Sequence, residues 1–182
     1  MAFIKMIPEN EAEGKLKDLY NLITNGKAAG KVAHILKVHS LHPDAMEAHL
    51  NLYRTIMFGP SGLSRAQREM IATTVSATND CVYWTRHHGA ALRRESNSSV
   101  LEETISKDYR QAEITVAEKA MLQYAEKLTR KPYSIERQDI DKLRQAGFSD
   151  RDIFDINQIV AYFNYVNRIA DGLGIELEES YR

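Results

Sequence analysis

The sequence predicts an all-α protein. Three observations carry this reading. Apolar residues recur at helical spacing through most of the chain, and two Ser/Thr-x-x-Gln/Glu capping boxes stand at the heads of apolar runs. No segment alternates apolar and polar residues in the two-residue period of a strand.

From about Glu11 to Thr24, Leu16, Leu19, Tyr20 and Ile23 fall on one stripe, and Asn25-Gly26-Lys27-Ala28-Ala29-Gly30 breaks it. The short apolar stretch Ile35-Leu36-Lys37-Val38 ends at His42-Pro43. Pro43 suits the first position of a helix, which carries Met46, Leu50, Tyr53 and Met57 on one face until Gly59-Pro60-Ser61-Gly62 stops it. Ser64-Arg65-Ala66-Gln67 caps a helix reaching about Asn79. Asn79-Asp80 is a turn, and a further helix runs from about Cys81 to Glu95.

Ser96-Asn97-Ser98-Ser99 reads as a loop. Thr115-Val116-Ala117-Glu118 is the second capping box, and its helix reaches Arg130 before Pro132. Ser134 starts another helix that closes at Gly147. Ser149 caps the last one, from Asp150 to about Asp171, followed by Gly172 and Gly174. Met46, Met57, Met70 and Met121 read as core. Gly62-Leu63-Ser64 is echoed by Gly147-Phe148-Ser149. At the same offset Ile71, Val75 and Asn79 match Ile156, Val160 and Asn164, as two pseudo-symmetric helix hairpins would require.

The chain has 182 residues, 24 Lys and Arg against 25 Asp and Glu, and a formal charge of -1. That balance leaves no surplus of cations for phosphates or anionic headgroups, so neither nucleic acid nor a membrane surface is an expected partner. With no long linker or composition shift, one domain over 1–182 is the simpler expectation. Cys81 is the single cysteine, which excludes an intramolecular disulfide and a thiolate-rich metal or iron–sulfur site. No signal peptide and no apolar run of roughly 20 residues is present, so a cytoplasmic location is expected. His34, His39, His42 and His49 lack the spacing of two ligands on one helix face. No metal and no cofactor are expected.

The chemistry is concentrated between Glu69 and His88. Glu69 lies mid-helix, 12 residues before Cys81 by 81 − 69, and an antiparallel hairpin brings it toward the second helix. There Cys81, Thr85 and His88 stand at i, i+4 and i+7 and share a face. Cys81 falls in the first turn, where N–H groups and the helix dipole favour a thiolate. A carboxylate, an imidazole and a thiol so placed form a possible proton relay. Glu69, if buried, needs a cation such as Arg86 or Arg168. Trp84 and Tyr83 are candidate pocket walls, and His87 lies on a different face, exposed or at an interface. Asn164, Asn167 and Arg168 read as structural polar groups on the last helix.

Arg68-Glu69-Met70-Ile71-Ala72, then Val75-Ser76-Ala77, Asn79, Cys81, Tyr83 and His88, resemble the alkylhydroperoxidase AhpD-like domain of the carboxymuconolactone decarboxylase superfamily. That pattern is a glutamate, eleven residues, a Cys-x-x-Cys pair, and a histidine four after the second cysteine. Leu128-Thr129-Arg130-Lys131-Pro132, Leu143 to Asp150 and Ala161 to Gly174 resemble its peroxidase-related branch.

The resemblance implies an all-α helical bundle, homo-oligomeric, with the motif on a hairpin at about 64–95. It implies peroxidase chemistry with Cys81 as nucleophile and Glu69 and His88 as relay and base. It further implies a small peroxide substrate and an external thiol reductant. The chain departs from the pattern at the second cysteine, which is Trp84, so a two-thiol cycle cannot run within one subunit. Position 84 stands one turn before His88, where its ring would stack on the imidazole. Cys81 stands seven residues away, roughly 10.5 Å along the axis, too far for a direct bond to His88. A non-redox lactone-decarboxylase-like enzyme acting on a small organic substrate, or a ligand-binding relative, are the alternatives. Phe3, Ile4, Met6 and Ile7 suit packing on a neighbouring subunit.

Overall fold

Several helix starts in this protein are set by reciprocal capping. Ser64 accepts from the Gln67 N–H at 3.1 Å while the Gln67 side chain accepts from the Ser64 N–H at 3.0 Å. Thr115 with Glu118 and Ser149 with Asp152 repeat the arrangement. Each box satisfies N–H groups that a helix leaves without partners at its start. The computed structural model describes residues 2–25 and 31–181. The break expected at 26–30 lies outside the described residues.

Nine α-helices and no strand occur among the described residues. They are α1 (Gly14–Thr24), α2 (His34–Lys37), α3 (Pro43–Phe58), α4 (Arg65–Thr78) and α5 (Val82–Ser96). Then follow α6 (Ser99–Asp108), α7 (Val116–Arg130), α8 (Arg137–Gln145) and α9 (Asp150–Gly172). No helix among the described residues is long and apolar enough to cross a membrane.

Three elements differ from the sequence reading. Helix α6 was not expected. Ser98 caps it through the Leu101 N–H at 3.1 Å, but only Ile105 is buried on it, so its apolar stripe is too thin to register as a period. Helix α8 begins at Arg137 rather than Ser134, because Pro132–Ser134 form a 3-10 turn and the Glu136 N–H donates to Asp139 at 2.9 Å. Cys81 is the N-cap of α5 rather than a first-turn residue. Its backbone is extended, and its carbonyl accepts from the Thr85 N–H at 3.0 Å.

The chain divides into two compact units, Met1–Arg54 with Ile169–Arg182, and Thr55–Arg168. In the first, Leu16, Leu19, Tyr20, Val32, Met46 and Leu50 form an apolar core that Ile7, Ile23 and Leu36 flank. Ile7 is therefore used within its own unit. The Tyr20 hydroxyl donates to its carbonyl at 2.8 Å, and its N–H donates to Ser40 at 2.9 Å. The Phe3 N–H donates to the Leu173 carbonyl at 2.8 Å, and Gly174 sits at φ +61°, a left-handed conformation that glycine adopts without strain.

The four histidines of this unit have different partners. His34 donates to Glu178 and to the Glu176 carbonyl, and His42 accepts from the Ala45 N–H. His39 donates to the Ile35 carbonyl at 2.8 Å and lies against His49, ring centroids 4.7 Å apart.

The second unit is built on the α4–α5 hairpin, against which α6 and α7 pack. Met57, Met70 and Met121 are buried here, as is Met46 in the first unit. At Gly89 the Glu102 carboxylate of α6 lies 2.9 Å from where a Cβ would stand. Asn79, the C-cap of α4, donates to Asn164 at 3.2 Å and Asn167 at 3.0 Å on α9. Asn167 donates to Ser76 at 3.3 Å, and Asn164 to Thr129 at 3.0 Å. The echoed residues thus meet: Asn79 bonds Asn164, and Ile71, Val75, Ile156 and Val160 are all buried.

Burial, then the neighbouring His39 charge, depress the His49 imidazole to about 4. An unfolded chain binds that proton near pH 6.5, so between about 6.5 and 4 the unfolded state holds more protons. Stability is therefore expected to fall as pH drops through that window. Replacing His49 with Gln should flatten urea-derived stability between pH 6.5 and 4, and an unchanged slope would contradict the assignment.

Candidate functional site

Glu69 lies in the middle of α4 and is 1% exposed. A carboxylate so buried needs cationic or N–H partners. Two are present. His88 Nδ1 lies 2.5 Å from Glu69 Oε2, and Arg65 Nη2 lies 2.5 Å from Oε1. His88 comes from α5 and is 3% exposed, so the pair joins the two arms of the hairpin inside the core. The cation is Arg65, one turn before Glu69 on α4, and neither Arg86 nor Arg168. Arg86 is exposed, and Arg168 donates to the Asn164 carbonyl at 2.7 Å. Arg65 also donates to the Met57 carbonyl and lies over the Phe58 ring, 4.1 Å from its centroid. An i,i+4 spacing on α4 was the signal available in the sequence.

The electrostatics follow from this packing. Burial presses the Glu69 carboxyl upward. The His88 charge and hydrogen bond, then Arg65, outweigh it and hold the carboxyl below its ordinary value. Nδ1 faces Glu69, so Nε2 is the ring nitrogen directed away from the carboxylate.

Trp84 closes one side of the imidazole. Its ring stacks on His88 with centroids 5.2 Å apart and planes at 24°. Phe163 of α9 meets His88 edge-on at 4.4 Å. The Trp84 indole N–H donates to the Val166 carbonyl at 3.0 Å. The residue replacing the second motif cysteine is thus a bonded, buried wall of the site. Phe163 and Val166 had no sequence signal, because contact across 75 or more positions has no period.

Cys81 is fully buried at the start of α5, and its N–H donates to the Ser76 carbonyl at 3.0 Å. Tyr83 is buried, and His87 is half-buried against it, ring centroids 4.5 Å apart. Thr85 is half-buried and lines a separate cleft between α5 and α6. The structure therefore brings Glu69 and Trp84 each onto His88. Among the described residues no group of three or more His, Cys, Asp or Glu is arranged to hold a metal ion.

The carboxymuconolactone decarboxylase family model matches residues 43–131. An uncharacterized peroxidase-related protein from Silicibacter sp. TM1040 is 32% identical, with 98% of this chain and 90% of that one covered and a TM-score of 0.85. The chain belongs to the AhpD-like carboxymuconolactone decarboxylase superfamily. The alkylhydroperoxidase AhpD core of a peroxidase-related protein from Ralstonia eutropha JMP134 is 26% identical. There 99% of this chain and 94% of that one are covered, with a TM-score of 0.89. The fold is also that of the debrominase Bmp8 in complex with 2,3,4-tribromopyrrole, at 16% identity and a TM-score of 0.82, covering 100% and 96% of the two chains. No curated protein matches the sequence. Against the AhpD-like motif this member keeps the glutamate, the first cysteine and the histidine, and has Trp84 at the second cysteine.

Two measurements check the site. Because the folded Glu69 carboxyl is depressed, its contribution is present above the unfolded value near 4.3 and is lost as pH falls through the lower folded value. Glu69→Gln is expected to cost about 3–5 kcal/mol at pH 7 by leaving buried cations without a counter-charge, and to flatten stability below about pH 4.3. Equal acid sensitivity in both proteins would contradict this. Trp84→Phe keeps a ring on His88 but leaves the Val166 carbonyl without its donor, at a cost of about 1–3 kcal/mol in urea unfolding.

Proposed function

We propose that this protein is a one-cysteine thiol peroxidase. The buried Glu69–His88 pair is the observation that carries the reading. It orients an imidazole on the same side of α5 as Cys81, the only thiol in the chain. The superfamily and its peroxidase-related members, one of them 32% identical, support it.

Peroxide reduction then runs in two stages. Cys81 loses its proton toward His88 through water, because about 10.5 Å of helix separates the two positions. The thiolate attacks the terminal oxygen of a hydroperoxide, an S–O bond forms and the O–O bond breaks. The departing alkoxide takes a proton from the imidazolium, giving an alcohol and a sulfenic acid on Cys81. One external thiol condenses with the sulfenic acid and releases water. A second attacks the mixed disulfide, frees Cys81 and leaves as the external disulfide. The bonded Trp84 takes the place of an internal resolving thiol, so both reducing equivalents come from outside. The reading places the enzyme in the thiol-reducing cytoplasm, as a homo-oligomer.

Cys81→Ser should abolish peroxide-dependent thiol consumption down to the buffer background. Wild-type protein treated with dilute peroxide should gain a dimedone adduct on Cys81, read by intact mass. Undiminished turnover in Cys81→Ser would overturn the proposal. Turnover of a lactone acid that survives alkylation of Cys81 would favour the superfamily's non-redox chemistry instead.

A further inference from the structure

Helix α9 has two apolar faces. Ile153, Ile156, Ile159, Phe163 and Val166 are buried on one of them. On the other, Phe154, Ala161, Tyr165 and Arg168 are exposed at i, i+7, i+11 and i+14. At 3.6 residues per turn these four fall within an arc of roughly 60°. That is the narrow seam by which one helix meets another, not the broad stripe that faces a core. Phe154 is 58% and Tyr165 50% exposed. Single exposed apolar side chains are ordinary, but an exposed heptad on one helix is a continuous surface.

The seam is complementary to itself when turned end for end. Arg168 donates to the Asn164 carbonyl and side chain, one turn back on its own helix, and is in no ion pair among the described residues. In an antiparallel pair of α9 helices with a two-fold axis through Ala161, positions equally far from Ala161 face each other. Phe154 and Arg168 each stand seven residues from it, about 10.5 Å along the helix. The guanidinium of each copy therefore lies over the Phe154 ring of the other, twice per pair.

Tyr165 then faces Asn157, both four residues out, and Arg151 faces Asp171, both ten residues out on the flank. Ala161 is the smallest side chain of the seam and sits on the axis, where the two backbones come closest. An axis between positions 159 and 160 would instead stack Phe154 on Tyr165, but it sets Arg151 against Arg168. Like charges in contact oppose that register.

We propose that this face of α9 is a self-association surface, occupied by α9 of a second copy, antiparallel, on a two-fold axis through Ala161. The proposal rests on the homo-oligomer of the preceding reading, for which it names the surface, and not on the peroxide chemistry. It also bears on the site. Phe163 and Val166 of the same helix meet His88 and Trp84, so pairing holds the helix that walls the imidazole.

Sedimentation velocity on the whole chain tests association. Over about 1–100 µM it should show a concentration-dependent dimer, or a larger assembly built from dimers. Ala161→Arg puts a bulky cation of each copy on the axis and should weaken association at least about tenfold. Ala161 is exposed, so the Tm of the variant at submicromolar concentration should match that of wild type, which separates lost association from lost folding.

Cross-linking reads the register. In a Cys81→Ser background, Ala161→Cys should form a disulfide with its own copy on mild oxidation, because the two positions meet on the axis. Phe154→Cys and Arg168→Cys should cross-link when mixed and not alone. A link of Phe154→Cys to Tyr165→Cys in its place overturns the Ala161 axis. An assembly that Ala161→Arg leaves intact overturns the surface alone. A wild-type chain that stays monomeric at about 100 µM overturns the surface together with the homo-oligomer. Dimedone labelling of Cys81 reports the peroxidase reading separately.

Discussion

One buried carboxylate organises the second unit of this protein. Glu69 cannot sit in the core of the hairpin as an anion without cations beside it, and it cannot sit there neutral while His88 and Arg65 face it. The three side chains therefore enforce one another. His88 is held by Glu69, Glu69 by Arg65, and Arg65 by the Met57 carbonyl and the Phe58 ring. The register of α4 against α5 follows from that chain of contacts, and so does the position of Cys81 at the end of the second arm.

Arg68 continues the same logic at the helix start. It is buried, and its guanidinium donates to the carbonyls of Leu63, Ile56 and Gly59 at 3.0–3.2 Å. With no carboxylate needed, it ties down the connection between α3 and α4. Two adjacent arginine roles emerge, one electrostatic at Glu69 and one structural at the loop. They explain how three charged residues, Arg65, Arg68 and Glu69, fit at the edge of an apolar core.

Much of this was legible in the sequence where local chemistry decides. The Ser64 and Thr115 boxes placed α4 and α7, Pro43 placed α3, and the Glu69, Cys81, His88 spacing pointed to the hairpin and the family. The one-turn offset from Trp84 to His88 was enough to foresee their stack. What could not be read depends on contacts between distant positions. The choice of Arg65 over Arg86 or Arg168 was decided by how the hairpin closed, and the wall of Phe163 and Val166 comes from a helix 75 or more positions away. Helix α6 escaped notice because a helix with one buried side chain leaves almost no period to detect.

Trp84 has a consequence beyond the site. It is the only tryptophan in the chain, and it lies in the unit formed by Thr55–Arg168, stacked on an ionisable ring. Excited selectively, beyond the tyrosine absorption, this one indole gives an emission that reports on one unit alone, while far-ultraviolet dichroism averages over every helix. Melting curves from the two signals need no label to be compared. Their coincidence or separation reads out directly whether the two units unfold as one cooperative body or in succession.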